Sequence, residues 1–238
     1  MRSKIVPVSN VARLSAASDA LLNREPGMPG MGLVHGDTGR GKTTAITWLI
    51  TRNNGVYVRA LSTTTPSSLL RTIARELDLD PRNSNVETVE AIVQRLAETG
   101  RPLFVDEADY LVSSGRLVET LRDIHDLSTV PVVLIGMAGI QRKLRNRPQL
   151  MGRIAQWVEF QPATRDDLSM LATQLAEVTI EADLLGRLHE ATRGSMRLAV
   201  IGMSHIEALA KAKGLTSIGM VDWPRGQNFT FNDQAHAA

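Results

Sequence analysis

The fold of this chain is decided by the segment His35-Gly36-Asp37-Thr38-Gly39-Arg40-Gly41-Lys42-Thr43-Thr44, which fits the pattern G-x-x-x-x-G-K-[ST]. Its three glycines let the backbone curl so that successive N–H groups point at phosphate oxygens, and the start of the following helix adds its positive dipole end. Lys42 supplies a mobile positive charge, and the hydroxyl of Thr43 is a ligand for Mg²⁺. The pattern predicts that Gly36 through Thr44 hold the phosphates of ATP.

The flanking residues favour the same interpretation. The apolar run Met31–Val34 predicts a short buried strand before the loop, and Thr44–Ile50 predicts a helix after it. Strand, glycine loop and helix follow one another in the order that phosphate binding requires. A flexible glycine turn between two elements is the alternative.

A second signal is independent of the first. The apolar run Pro102–Val105 predicts a strand that ends in the adjacent carboxylates Asp106 and Glu107. In phosphoryl-transfer sites an Asp at a strand end holds Mg²⁺ and a neighbouring Glu polarises the attacking water, so we assign Asp106 to the metal and Glu107 to water. Such a pair also occurs as an N-cap with an acidic first helical turn. Lys42 upstream favours the catalytic assignment.

Composition limits the remaining possibilities. The chain has 238 residues, 43% hydrophobic and 22% charged, which is typical of a globular protein with one good core and a small accessory domain. It has no cysteine, which excludes disulfides and thiolate metal sites and is compatible with a reducing cytoplasm. We see no membrane span and no signal peptide, so we expect a cytoplasmic protein, in the host cell if it is phage-encoded.

The net charge is only +2, but the charge is unevenly distributed. Between Asp126 and Glu159 there is no carboxylate, whereas five cationic residues occur there: Arg142, Lys143, Arg145, Arg147 and Arg153. Such a segment calls for an acidic partner: a neighbouring subunit's nucleotide, a DNA backbone, or acidic residues elsewhere in the fold. A solvated helix face is the alternative for any single arginine.

Continuous apolar strands alternate with amphipathic helices as far as Pro162 and predict a parallel sheet with helices on both faces. Three helical segments follow and predict a small all-helical lid. The fold class is therefore α/β. We expect a nucleotide-binding domain over residues 1–162, a helical lid over 163–214, and a polar C-terminal tail over 215–238 that is frayed from Trp223 onward.

A phosphate-loop sheet followed by a helical lid resembles the AAA+ ATPases, whose P-loop NTPase fold we therefore expect. The resemblance implies that Arg197, in Gly194-Ser195-Met196-Arg197, is the second sensor that reaches the γ-phosphate from the lid. It also implies an arginine finger that completes a neighbouring subunit's site, for which we favour Arg153, with Arg145 and Arg147 as competitors. A finger in trans makes hydrolysis depend on assembly.

One departure from the family pattern matters. The family usually has a polar first-sensor residue at the end of the strand that here continues into Gly136 and Met137. Neither residue can position a water through its side chain. We therefore expect slow ATP hydrolysis, in which ATP acts more as an assembly switch than as fuel.

Within the family, the chain resembles the transposition helper ATPases of the phage Mu B group and the TnsC type, most closely at Gly36–Thr44, Leu103–Tyr110 and Val132–Gln141. The resemblance implies an ATP-dependent, sequence-indifferent DNA binder that assembles as a homo-oligomeric ring or helical filament on duplex DNA and selects target DNA for a transposase. Repeated phosphate contacts along a filament need few groups per subunit. Our candidates for DNA contact are Thr65, Ser67, Arg71 and Arg116, with helix capping as the alternative for the hydroxyl residues.

Two other functions share these motifs. A replicative helicase loader would use the same ATPase core to deliver a helicase, and a nucleotide-gated signalling module would never contact DNA. ATP-dependent, salt-sensitive binding of arbitrary duplex DNA separates the first function from the signalling module, and a preference for single strands indicates the loader.

Overall fold

The structure is a computed structural model that describes residues 1–2 and 4–230, and it consists of two compact units. Residues 13–37 and 42–159 form the sheet unit, and residues 1–12, 38–41 and the described residues from Phe160 onward form the helical unit. The N-terminal residues therefore group with the C-terminal helices, and the domain boundary at residue 162 stays a proposal.

The sheet unit is built on a parallel sheet of five strands: Met31–His35 (β1), Val56–Arg59 (β2), Leu103–Asp106 (β3), Val132–Ile135 (β4) and Ile154–Glu159 (β5). Their order in the sheet is β2-β3-β4-β1-β5. The strands β1, β3 and β4 are central and their residues are buried almost throughout, as expected when helices cover both faces of a sheet. The strands predicted at Met31–Val34 and Pro102–Val105 are confirmed as β1 and β3.

Alternate strand residues point to opposite faces. One face carries Leu33, Val58 and Val105 into a core shared with buried residues of the helices that follow β2, β3 and β4. On the other face, the space beside Gly32 is filled by Leu21 of the first helix. The helices of the chain up to β5 are Ser9–Leu22 (α1), Lys42–Asn53 (α2), Pro66–Glu76 (α3), Asn85–Thr99 (α4), Asp109–Val112 (α5), Gly115–Ser128 (α6), Ile140–Leu144 (α7) and Pro148–Met151 (α8).

The helical unit contains the three helices that the sequence predicts: Arg165–Leu175 (α9), Ala182–Thr192 (α10) and Met196–Ala212 (α11). The helical unit also contains a short sheet that the hydrophobic pattern did not predict. Thr179–Ile180 (β6) and Ser217–Ile218 (β7) pair as a two-stranded parallel sheet. Two residues per strand are too few for a period-two pattern to be seen in the sequence.

One buried carboxylate joins two helix starts of the helical unit. Asp167, 2% exposed, accepts hydrogen bonds from the backbone N–H and hydroxyl of Ser9, both at 2.8 Å, and from the N–H of Thr164 at 2.9 Å. Burial alone would raise the pKa of Asp167, but these hydrogen bonds hold it below its usual value. The start of α1, a helix absent from our expectations, is thereby fixed to the start of α9.

The expectation of a frayed end from Trp223 onward is wrong as far as residue 230, and the predicted tail before it contains a short strand. Ser217 and Ile218 lie in β7, and the rings of Trp223 and Phe229 stack with their centroids 4.8 Å apart, each 6% exposed. A stacked aromatic pair buries enough apolar surface to order a short polar segment. The remainder of the predicted tail, residues 231–238, lies outside the described residues.

Among residues 1–2 and 4–230, no helix has both the length and the apolar character needed to cross a membrane.

The buried histidines of the sheet unit predict how stability depends on pH. His125 is 6% exposed, its Nδ1 lies 2.8 Å from the carbonyl oxygen of Val130, and burial lowers its pKa; burial also lowers the pKa of His35. Because both pKa values are lower in the folded state, the contribution of these two rings to stability should be constant above about pH 6.5 and fall as the pH decreases below it, by at most about 1.4 kcal/mol per pH unit for each ring.

Calorimetric melting temperatures between pH 8 and pH 5 measure this effect. In His125→Asn, whose amide nitrogen can replace Nδ1, the acid-induced decrease should be smaller but still present because His35 remains. Equal pH slopes in the variant and the parent protein would contradict the assignment to His125.

Candidate functional site

The loop between β1 and α2 has the backbone that its glycines predict. β1 ends at His35, α2 begins at Lys42, and the glycines between them have positive φ: 147° at Gly36, 81° at Gly39 and 89° at Gly41. An L side chain adopts the last two values only with strain. The predicted order of strand, glycine loop and helix is confirmed.

Lys42 lies at the start of α2 among acidic residues. Its ammonium donates hydrogen bonds to the carbonyl oxygens of Gly36 and Asp37. Burial lowers the pKa of Lys42, and four carboxylates oppose that shift: Asp37, Asp106, Glu107 and Asp109. The structure therefore brings the cationic residue of the loop into one charged cluster with the acidic residues of β3 and the turn after it, which include the candidates Asp106 and Glu107.

Asp106 is held in place by two donors. Its Oδ2 accepts a hydrogen bond from the hydroxyl of Tyr57 at 2.9 Å, and its Oδ1 accepts one from the N–H of Glu107 at 2.8 Å. Burial and the bond to Asp106 raise the pKa of Tyr57 to about 12, so this hydroxyl stays a donor at neutral pH. Sequence reasoning missed Tyr57, which lies on β2, the strand beside β3.

The donors in this cluster fit Mg²⁺. Asp106 has a lone pair left on each carboxylate oxygen, and the hydroxyl of Thr43 is exposed in the first turn of α2. Mg²⁺ is usually bound by one or two protein oxygens together with waters and substrate phosphates. The described residues contain no cluster of three or more His, Cys, Asp or Glu that could hold a metal by protein ligands alone. Thr43 and Asp106 are thus compatible with a metal that a nucleotide completes.

Glu107 has an unusual backbone and a cationic partner. Its φ is 54°, a left-handed value that is uncommon for a residue with a long side chain. Its carboxylate accepts a hydrogen bond from the guanidinium of Arg59 at 3.1 Å, and the side chains are 33% and 61% exposed. Arg59 ends β2 and pairs in register with Asp106. Arg59 is identified by the register between β2 and β3, which the structure shows and the sequence does not.

The basic segment is partly paired within the sheet unit. Arg153 forms a two-pronged ion pair with Asp126, with Nε–Oδ1 at 2.9 Å and Nη2–Oδ2 at 2.6 Å. Arg147 donates to the carbonyl oxygens of Val112 and Ser113 at 3.3 and 3.4 Å. Arg145 is exposed. Among the acidic partners that the sequence predicted for this segment, Arg153 has one within the fold, Asp126.

Arg197 lies in the first turn of α11 in the helical unit. Its backbone N–H donates to the carbonyl oxygen of Gly39 at 3.0 Å, and its side chain is exposed. The same turn contains Ser195, whose hydroxyl accepts from the N–H of Leu198 at 3.4 Å. Thr38–Gly41 belongs to the same compact unit as this helix.

The candidate DNA contacts differ in availability. Thr65 is the N-cap of α3 and forms a capping box with Ser68, so its hydroxyl has a structural partner. Ser67 is half-buried, whereas Arg71 and Arg116 are exposed. The two arginines therefore remain the more accessible candidates.

Comparison with known proteins agrees with this geometry. Residues 27–144 match the family described as AAA domain. The chain is 28% identical over 126 residues to a potential ATP-binding protein of Staphylococcus aureus, a match that covers 49% of this chain and 45% of that protein.

Two solved structures share the fold. The ORC2 protein of Aeropyrum pernix, in ADPNP–ADP complexes, has a TM-score of 0.70 and 19% identity over 93% of this chain and 68% of its own. The ORC1 protein of the same organism, in complex with DNA, has a TM-score of 0.62 and 19% identity over 95% of this chain and 64% of its own. The predicted P-loop NTPase fold of the AAA+ class is confirmed.

Lys42 provides a direct test of the site. Lys42→Ala should weaken ATP binding by about 10- to 100-fold, because a hydrogen bond to a charged group contributes about 1.5–3 kcal/mol. Titration of a fluorescent ATP analogue measures the Kd, and Lys4→Ala, which removes an exposed lysine, is the control. Unchanged affinity in Lys42→Ala would refute phosphate binding by this loop.

Proposed function

We propose that this chain, which has the AAA+ fold of P-loop NTPases, binds ATP and Mg²⁺ and hydrolyses ATP. The observation that carries the proposal is the charged cluster that Lys42, directly after the glycine loop, forms with Asp106 and Glu107 at the end of β3. The match of residues 27–144 to the AAA domain supports it.

Each residue of the cluster has a distinct part in the reaction. Lys42 and the loop N–H groups bind the phosphates, and Thr43 and Asp106 bind Mg²⁺, which when bound neutralises charge on the phosphate oxygens. Glu107 orients the attacking water and accepts its proton. Because Arg59 donates to the same carboxylate, Glu107 must share or leave that partner to contact water.

We further propose that hydrolysis is slow and depends on assembly. Gly136 and Met137 offer no polar side chain at the end of β4, and the exposed Arg197 is our candidate for the γ-phosphate sensor. Arg153 is the proposed finger for a neighbouring subunit. Its ion pair with Asp126 is part-exposed, at 36% for each side chain, so exchanging this carboxylate for a phosphate costs little.

Complementation between variants tests the finger. Arg153→Ala alone should lose about 10³-fold or more of the assembled ATPase rate, as expected for removal of a finger. Mixing it with Lys42→Ala, which keeps the finger but lacks the phosphate-binding lysine, should restore activity because mixed interfaces contain one intact site. Asp126→Ala, Arg145→Ala and Arg147→Ala are the matched controls. If Arg145→Ala or Arg147→Ala instead loses activity alone and regains it when mixed with Lys42→Ala, that arginine is the finger.

We also propose a more specific function, in which the protein selects target DNA for a phage or transposon transposase. It is supported by resemblance to the Mu B and TnsC-type ATPases, by a solved neighbour that is in complex with DNA, and by the exposed Arg71 and Arg116. We propose that the protein assembles on duplex DNA as a ring or helical filament in its ATP-bound state.

DNA binding can be tested without knowledge of the transposase. With a nonhydrolysable ATP analogue, random-sequence duplexes should be retarded in a gel and decorated with helical fibres in electron micrographs. Arg71→Ala/Arg116→Ala should weaken binding equally for all sequences and reduce the salt slope. Preference for single strands would favour a helicase loader, and absence of DNA binding a signalling module.

A further inference from the structure

The turn that carries Glu107 is held to the neighbouring strand β4. The N–H of Ala108 donates to the carbonyl oxygen of Ile135 at 2.8 Å, and the N–H of Glu107 donates to Asp106 Oδ1 at 2.8 Å. The φ of 54° at Glu107 lies between these bonds. A left-handed conformation costs of order 1–3 kcal/mol and persists only where surrounding contacts impose it.

Asp109 adds a contact of a different kind. Its Oδ2 accepts a hydrogen bond from the N–H of Met137 at 2.7 Å, and its Oδ1 lies 3.5 Å from the ammonium of Lys143. The side chain is 16% exposed, although the helix it begins, α5, has only four residues. A carboxylate that accepts a backbone N–H makes a charge-assisted hydrogen bond, about twice as strong as a neutral one.

The Asp109 side chain leaves no room for a side chain at position 136. A Cβ at position 136 would lie 2.7 Å from Asp109 Oδ2 and 2.4 Å from Ile140 Cδ1, both too close for real atoms. The N–H of Gly136 donates to the carbonyl oxygen of Val34 at 2.9 Å, so the end of β4 is itself bonded to β1 near the start of the glycine loop. Asp109 therefore joins the turn after β3 to a strand end that is already fixed.

We propose that Asp109 is a positioning residue for hydrolysis: by holding the Met137 N–H it fixes the turn that aims the Glu107 carboxylate at water. The inference rests on the proposed ATPase function and deepens it. Gly136 and Met137, which follow β4, have no polar side chain. In this proposal the backbone N–H of Met137 contributes to hydrolysis instead. Misplacing a catalytic group by about 1 Å lowers a rate by about 100-fold, so a lost tether affects turnover.

Three variants separate positioning from mere stability. Asp109→Ala removes the acceptor. Asp109→Asn keeps an oxygen for the Met137 N–H while removing the charge. Gly136→Ala keeps Asp109 but places a methyl group where its Oδ2 lies. We expect kcat to fall about 10- to 100-fold in Asp109→Ala and Gly136→Ala and to stay within about threefold of the parent protein in Asp109→Asn.

Two further measurements show whether Asp109 acts through Glu107. The Kd for a fluorescent ATP analogue should change less than about twofold in all three variants, since Asp109 is proposed to act on turnover and not on binding. In a Glu107→Gln background, single-turnover rates should be the same with and without Asp109→Ala, because the group being positioned is gone. Multiplicative losses in that double variant would overturn the inference.

A measurement without nucleotide tests the tether itself. Amide hydrogen exchange at Met137 should be fastest in Asp109→Ala and intermediate in Asp109→Asn, which keeps a neutral hydrogen bond to this N–H. An unchanged kcat in Asp109→Ala, or a loss in Asp109→Asn as large as in Asp109→Ala, refutes positioning by this hydrogen bond. Absence of ATP hydrolysis by the parent protein refutes the proposed function instead, so the two failures are distinguishable.

Discussion

The site depends on the placement of one ammonium group against several carboxylates. Burial lowers the pKa of Lys42, and the acidic residues that follow β1 and β3 partly offset this shift. This balance requires that parallel strands end at the same edge of the sheet, which β1, β3 and β4 do by pairing in one register. The buried parallel strands therefore bring the charged residues that follow them together at the carboxyl edge of the sheet.

Much of this could be predicted from sequence because the signals are local. The glycine loop, the strand before it and the pair Asp106–Glu107 each lie within a short stretch whose chemistry is evident from residue type and spacing. Continuous apolar strands also predicted the parallel sheet, since only a strand buried on both faces lacks alternation.

The residues that were missed depend on contacts between distant segments. Tyr57 and Arg59 reach Asp106 and Glu107 only because β2 lies beside β3, and nothing in their own sequence shows that neighbour. Asp109 reaches Met137 across two strand ends. The buried Trp223 and Phe229 ordered a segment whose composition is that of a tail. Each of these contacts depends on tertiary pairing, which the local sequence pattern does not indicate.

The carboxylate of Asp167 has a consequence for how the protein can be shortened. Both donors to its Oδ1 come from Ser9, 158 positions away along the chain. A truncation that begins after Ser9 would leave this buried oxygen without either bond, and a buried carboxylate that loses its donors destabilises its surroundings or takes up a proton. Fragments trimmed at the N-terminus should therefore show increased protease sensitivity in the C-terminal helices, far in sequence from the cut.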